Sequence, residues 1–289
     1  MTYPATTPIR PLKGIRILSL ALNLPGPAAL MRLRLMGARC VKLEPPAGDP
    51  MQIYSSAAYA ALHQGIRITT ADLKTAAGQR ALHRELAKAD VLLTSFRPSA
   101  LTKLGLSWKA LHKQYAQLSH VAVVGSAGAL ADLPGHDLTY LAANGLVPGL
   151  DLPATLFADM GGSLMGSEAV LQAVLHHRAS GKGIYLEVAL ASAASYAALP
   201  RAWGLTTRGA AVGGGHAGYQ IYPCKNGRVA VAALEPHFAA RLCAAAGLGP
   251  SDMSLPATGH AVAAWCLGKT RTQLDKLAAS LDIPLHSLA

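Results

Sequence analysis

Acidic residues are scarce in this chain. Only 15 Asp and Glu stand against 26 Lys and Arg in 289 residues, leaving a formal net charge of +11 that favours an anionic partner: nucleic acid, an acidic membrane or a phosphorylated small molecule. Aromatics are scarce too, at 5% with three Phe, and no Lys/Arg run is interleaved with them, which ranks nucleic-acid binding last. The four cysteines, Cys40, Cys224, Cys243 and Cys266, form no C-x-x-C pair or Cys/His spacing, so neither a disulfide framework nor a metal site is expected, only buried free thiols. No long hydrophobic run is present. Met1 to Lys13 carries Pro4, Pro8 and Pro11 instead of a signal-peptide core, and the mildly apolar stretch from Val188 to Pro200 is too short to span a bilayer. A cytoplasmic protein without a membrane partner is the expectation.

What is present is an apolar fraction of 51%, which excludes general disorder and implies a core of Ala, Leu and Val. Strand-like segments at 14–20, 39–44, 90–95 and 120–124 alternate with helical ones, the first running through Met36 after a Pro25-Gly26-Pro27 turn and the others at about 75–89 and 101–113. Thr75 is placed to cap the second of these helices, with Leu82 and Leu86 on its apolar face. The alternation predicts a parallel, doubly wound sheet, Rossmann-like in outline. No G-x-G-x-x-G follows the first strand, which argues against a nicotinamide or flavin fingerprint. A long helix is expected over 161–179, closed by Gly181, then a strand at 184–188 and a helix at 189–199. Past Gly213-Gly214-Gly215 the pattern changes to a hairpin, 219–222 and 228–233 about a Lys225-Asn226-Gly227 turn, with a helix from Pro236. The fold class is therefore α/β, with a large Rossmann-like domain over 1–205 and a small α+β domain over 206–289.

Polar residues gather in three apolar, glycine-bearing stretches: Gly135-His136-Asp137-Leu138-Thr139-Tyr140, Ala158-Asp159-Met160-Gly161-Gly162 and Leu234-Glu235-Pro236-His237-Phe238. Each has an ordinary structural explanation. Asp159, just ahead of the expected long helix, reads as an N-cap, although two glycines after it would let a ligand approach the helix start. Its carboxylate is expected to be ionised at neutral pH. His136 alone is more often a satisfied or surface histidine than a catalyst, and Glu235 before Pro236 is a plausible first-turn acid.

At these residues the chain resembles the family III CoA-transferase superfamily, and within it the α-methylacyl-CoA racemase branch. The resemblance runs from Pro11 to about Leu285 through Pro11-Leu12-Lys13-Gly14-Ile15-Arg16-Ile17-Leu18, Leu24-Pro25-Gly26-Pro27, Met36-Gly37-Ala38-Arg39-Cys40-Val41-Lys42-Leu43-Glu44-Pro45-Pro46 and Ala71-Asp72-Leu73-Lys74. It continues through Ala89-Asp90-Val91-Leu92-Leu93, Phe96-Arg97-Pro98, Lys103-Leu104-Gly105-Leu106 and Gly181-Lys182-Gly183. Singly these segments are weak; their order and spacing are specific. The chain departs from the pattern at Gln64-Gly65-Ile66-Arg67, which keeps one cation of an Arg-Gly-Lys-Arg-like segment.

The resemblance implies an intertwined homodimer of the family III fold, whose relatives continue beyond the position of Ala289 with a tail that this sequence is expected to lack. It implies an acyl-CoA thioester as substrate, coenzyme A being part of that substrate, with no covalently bound cofactor and no metal. Racemisation at the α-carbon of a 2-methyl-branched acyl-CoA would use Asp159 and His136 as opposed bases, with Glu235 accepting a hydrogen bond from the His136 ring, Asp137 supporting the network, and backbone N–H groups near Asp159 and Gly161 receiving the enolate. CoA transfer through an acylated Asp159 is the second reading, and a divergent CoA-binding homologue with little turnover the third. Lys42, Arg67 and Arg97 are the candidate phosphate or adenine contacts, and the Leu24-Pro25-Gly26 turn a candidate for backbone contacts.

Overall fold

The computed structural model describes residues 9–289, so the part of the Met1–Lys13 reading that concerns residues 1–8 lies outside it. The chain divides into a first compact unit ending at Ala198 and a second, Leu199–Ala289.

In the first unit six strands form one parallel sheet: β1 (Arg16–Ser19), β2 (Arg39–Glu44), β3 (Arg67–Thr70), β4 (Val91–Thr94), β5 (Ser119–Val124) and β6 (Tyr185–Ala189). Their order is β3-β2-β1-β4-β5-β6, every neighbouring pair parallel. The chain thus winds outward from β1 in one direction, returns, and winds outward from β4 in the other, which opens a crevice past the carboxyl ends of β1 and β4. Side-chain alternation supplies both faces of the core. Ile17, Leu93, Val121 and Val123 pack with Ala29, Leu30 and Leu33 of the Pro25–Leu35 helix and Val170 and Val174 of the Phe157–Ser180 helix. Leu18, Leu43 and Leu92 turn the other way, onto Leu82, Leu86, Leu101 and Leu111.

Strand β3 and the helices Met51–Tyr54 and Ser56–His63 are additions to the expected elements. Two boundaries are corrected. The Pro25-Gly26-Pro27 segment is the first turn of a helix rather than a turn before one, because Pro at the first helical position forfeits no hydrogen bond. The helix expected over 101–113 is two, Pro98–Lys103 and Trp108–Gln114, parted at Gly105 with φ 76°. Elsewhere local chemistry acts as expected: the Thr75 hydroxyl accepts from Gly78 N–H at 3.1 Å, and Gly181, at φ 70°, closes the Phe157–Ser180 helix in the left-handed region.

Gly183, where the chain enters β6, has no room for a side chain: a Cβ there would stand 2.0 Å from the Leu118 carbonyl oxygen. Backbone cannot yield as a rotamer does. Gly183→Ala is expected to destabilise the protein by about 2–3 kcal/mol, read as a lower urea midpoint at unchanged m-value.

The second unit is a three-stranded antiparallel sheet in the order β7 (Tyr219–Cys224), β8 (Gly227–Ala232), β9 (Leu285–Leu288), covered by the helices Pro236–Ala245, Pro256–Leu267 and Arg271–Leu281. Val229, Val231, Leu242, Val262 and Leu274 form its core. All four cysteines are free and buried. Among the described residues no helix is long and apolar enough to cross a membrane.

Candidate active site

The crevice beyond β1, β4 and β5 has a volume of about 510 Å³. One wall is the Leu22–Pro25 loop that follows β1, and another is Ser95, Phe96 and Arg97 after β4. Val123, Val124 and Gly125 at the end of β5, His136, Asp137 and Tyr140, and finally Asp159 complete the lining. His136, Asp137 and Asp159, distant in sequence, are therefore brought to one place, with Leu24, Pro25 and Arg97 beside them.

Asp159 is not an N-cap. The Phe157–Ser180 helix begins two residues earlier, after Leu156, so Asp159 lies in its first turn near the positive end of the helix dipole. Burial nevertheless pushes its carboxyl up to about 6, with the neighbouring Asp137 charge raising it further and His136 opposing. The expected fully ionised carboxylate is instead a group that titrates close to neutrality, where proton donors and acceptors work best. Asp137 is buried, and its Oδ1 accepts the Asp159 backbone N–H at 2.9 Å, so one carboxylate both places the other and raises its proton affinity.

His136 precedes the Asp137–Ala143 helix with extended backbone (φ −143°). Its own N–H donates to the Thr139 hydroxyl at 3.0 Å, and that hydroxyl donates to the His136 carbonyl at 2.7 Å. This reciprocal turn fixes the backbone and leaves the ring exposed at the crevice.

The glycines after Asp159 have a different task from the one expected. A Cβ on Gly162 would fall 2.2 Å from Leu190 Cδ2, and one on Gly161 3.3 Å from Ala193 Cβ, so both admit the Leu190–Ala197 helix against the Phe157–Ser180 helix rather than a ligand. Gly26 is corrected likewise: it is buried, and its missing Cβ admits Ala21, which would stand 2.2 Å away. Nor are the backbone donors free as expected. The Asp159 N–H is taken by Asp137, and Gly161, in the second turn, lies within the helical hydrogen-bond ladder.

Two of the three candidate cations are placed away from the crevice. Arg67 opens β3, at the amino ends of the strands, and pairs with Glu85 at 2.8 Å beside Arg16, Arg39 and Lys88. Lys42 sits inside β2 with 0% exposure, its ammonium paired with Asp49 and with Glu44 at 3.0 Å, so it meets no solvent-borne phosphate. Arg97 alone stays at the crevice, exposed, just before Pro98 at the first helical position. Glu235 is in the second unit, exposed, immediately before the Pro236–Ala245 helix.

Sequence reasoning gave no role to Asp49, nor to Tyr140 at the end of the Gly135–Tyr140 stretch. Tyr140 is buried with its hydroxyl wedged between Gly125 and Gly135, where a Cβ would come within 2.2 and 2.5 Å of it. Burial and the Asp159 charge both raise its phenol. The signal was available in Gly135, which precedes the His-Asp pair and clears the ring five residues on.

Residues 12–289 match the family model described as CoA-transferase family III. The chain is 31% identical over 213 residues to the cinnamoyl-CoA:phenyllactate CoA-transferase of Clostridium sporogenes, covering 61% of this chain and 52% of that protein. It is 30% identical over 266 residues to the alpha-methylacyl-CoA racemase of Homo sapiens, covering 84% and 68%. The chain thus spans about half the length of the transferase and about two thirds of that of the racemase. In fold it is similar to a CAIB/BAIF family protein from Brucella suis, with a TM-score of 0.82 at 22% identity over 97% of this chain and 84% of that one.

Proposed function

The chain belongs to CoA-transferase family III, and from that premise we propose that the crevice takes an acyl-CoA thioester and that the enzyme inverts the α-carbon of a 2-methyl-branched acyl group. The observation that carries this reading is the meeting of Asp159, titrating at about 6, with the exposed His136 ring on the walls of one crevice. Racemisation needs one group to remove the α-hydrogen and a second to return a proton from the opposite face. The C–H electron pair moves into the enolate, the proton goes to the Asp159 carboxylate, and the imidazolium of His136 gives up its own; the reverse configuration exchanges the roles. The positive end of the Phe157–Ser180 helix favours the enolate charge. Since a proton leaves and a proton returns, the reaction requires neither an electron carrier nor a metal. Arg97 is the cation assigned to the phosphates of coenzyme A, and a homodimer is part of the same proposal.

The 31% identity to a CoA-transferase supports a second reading, in which the Asp159 carboxylate attacks the thioester and is acylated as CoA thiolate leaves. Isotope and trapping experiments separate the two. In heavy water, (R)-2-methylacyl-CoA is expected to gain deuterium at the α-carbon, and His136→Ala to abolish inversion without any Asp159 adduct. Hydroxylamine capture of acyl-Asp159 without α-exchange would instead establish transfer, and binding of CoA with neither outcome would remove both.

A further inference from the structure

The Leu22–Pro25 wall of the crevice is held from beneath. Leu22 N–H donates to Ser95 Oγ and Asn23 N–H to Asp49 Oδ1, each at 2.9 Å, while Asn23 itself stands at φ 65°, in the left-handed region that a side-chain-bearing residue keeps only when its surroundings impose it. Asp49 Oδ1 also takes the Met51 N–H at 2.9 Å, and its other oxygen takes the Lys42 ammonium. That ammonium, wholly buried, meets Glu44 Oε1 at 3.0 Å and His63 Nε2 at 2.8 Å as well, so three acceptors face its three N–H bonds. The set closes on itself. His63 Nδ1 donates to the Tyr59 carbonyl at 2.7 Å, which leaves Nε2 unprotonated to accept from Lys42, and the Tyr59 hydroxyl donates to Glu44 at 2.9 Å. Burial and the Lys42 charge hold His63 below its ordinary range, consistent with a neutral ring.

Glu44, Asp49 and His63 lie close enough together to hold a divalent cation, but the Lys42 ammonium already contacts all three. A buried ion pair gains little over a well-packed apolar substitute, so stability alone does not account for it. What it delivers is a carboxylate fixed in place, with one oxygen turned to the crevice loop. We infer that Lys42 and Asp49 are positioning residues, which hold Asn23 in its left-handed conformation and so set the shape of the wall against which the ligand lies. The functional half of this inference rests on the acyl-CoA reading above; the structural half does not.

Two double variants isolate the single contact at issue. Lys42→Met with Asp49→Asn removes both charges and keeps an oxygen for Asn23 N–H; Lys42→Met with Asp49→Leu removes both charges and that oxygen. In the Leu variant amide exchange over residues 21–24 is expected to rise at least about tenfold, and KM for acyl-CoA to rise about tenfold with kcat little changed, whereas the Asn variant stays close to the parent in both. Equal loop exchange in the two variants, or an increase spread evenly over the whole first unit, overturns the inference. If the Leu variant does not fold, Lys42→Met with Asp49→Ser gives the same contrast, its hydroxyl being too short to reach Asn23. Should the parent fail to bind acyl-CoA, the functional reading falls while the exchange measurement still decides whether Asp49 holds the loop.

Discussion

Asp159→Asn is expected to cost about a thousandfold or more in turnover and yet to leave a more stable protein above neutral pH. The catalytic loss follows on either chemistry, because a carboxamide neither takes up a proton nor attacks a thioester. The gain in stability follows from linkage. Asp159 holds its proton up to about pH 6 in the folded state, against 3.8 for an ordinary Asp side chain, so the folded chain binds protons that the unfolded chain has released. Its contribution is full below the unfolded value and is lost as pH rises through about 6. At about 1.4 kcal/mol per pH unit, reduced because the side chain is partly solvated, the wild type gives up roughly 1–2 kcal/mol between pH 4 and pH 8. The Asn variant is spared that loss. Urea unfolding at the two pH values should show the variant's advantage at pH 8 and its near disappearance at pH 4; equal stability at pH 8 would contradict the raised proton affinity. The same titration predicts that kcat/KM in the direction that uses Asp159 as base climbs through an apparent pKa near 6.

The second large effect is on folding. Lys42→Ala leaves Asp49, with 0% side-chain exposure, and Glu44, with 7%, facing one another without their cation. Removing one partner of a buried ion pair typically costs about 3–5 kcal/mol, more than the transfer cost of the deleted methylenes. The double variant Lys42→Met with Asp49→Asn should recover part of that loss, because it removes one of the two stranded carboxylate charges and leaves Glu44 with the Tyr59 hydroxyl as donor. Thermal unfolding of the three proteins side by side is the measurement, and a double variant no better than the single one would show that packing, not charge, is what Lys42 supplies.

Much of the large unit was legible because its strands announce themselves. Arg39–Glu44 follows from an apolar run stopped by Pro45-Pro46, and the Ala76–Leu86 helix from Thr75 and the Leu82/Leu86 spacing. β3, Arg67–Thr70, was not, because none of its four residues is buried and it carries no apolar run. In the site, the His136-Asp137 and Asp159 pairing came from resemblance; no periodicity brings residues 22 positions apart into contact. Lys42 was misplaced for a related reason. A lysine in a strand is normally a surface charge, and only the partners Asp49 and His63, seven and 21 residues away, show that it is an interior one.

The strand order also bears on how the crevice comes into being. β1 meets β2 and, through it, β3 early in the chain, so the contact between Asp49 and Asn23, 26 residues apart, forms within one winding of the sheet. The opposite support, Ser95 to Leu22, spans 73 residues and must await the docking of β4. Contacts of such long range form slowly, so the loop acquires its second support only when the two halves of the sheet join. The loop is thus a joint between the two halves of the sheet, one support belonging to the β1–β3 half and the other to β4, so this wall of the crevice is complete only when both are in place.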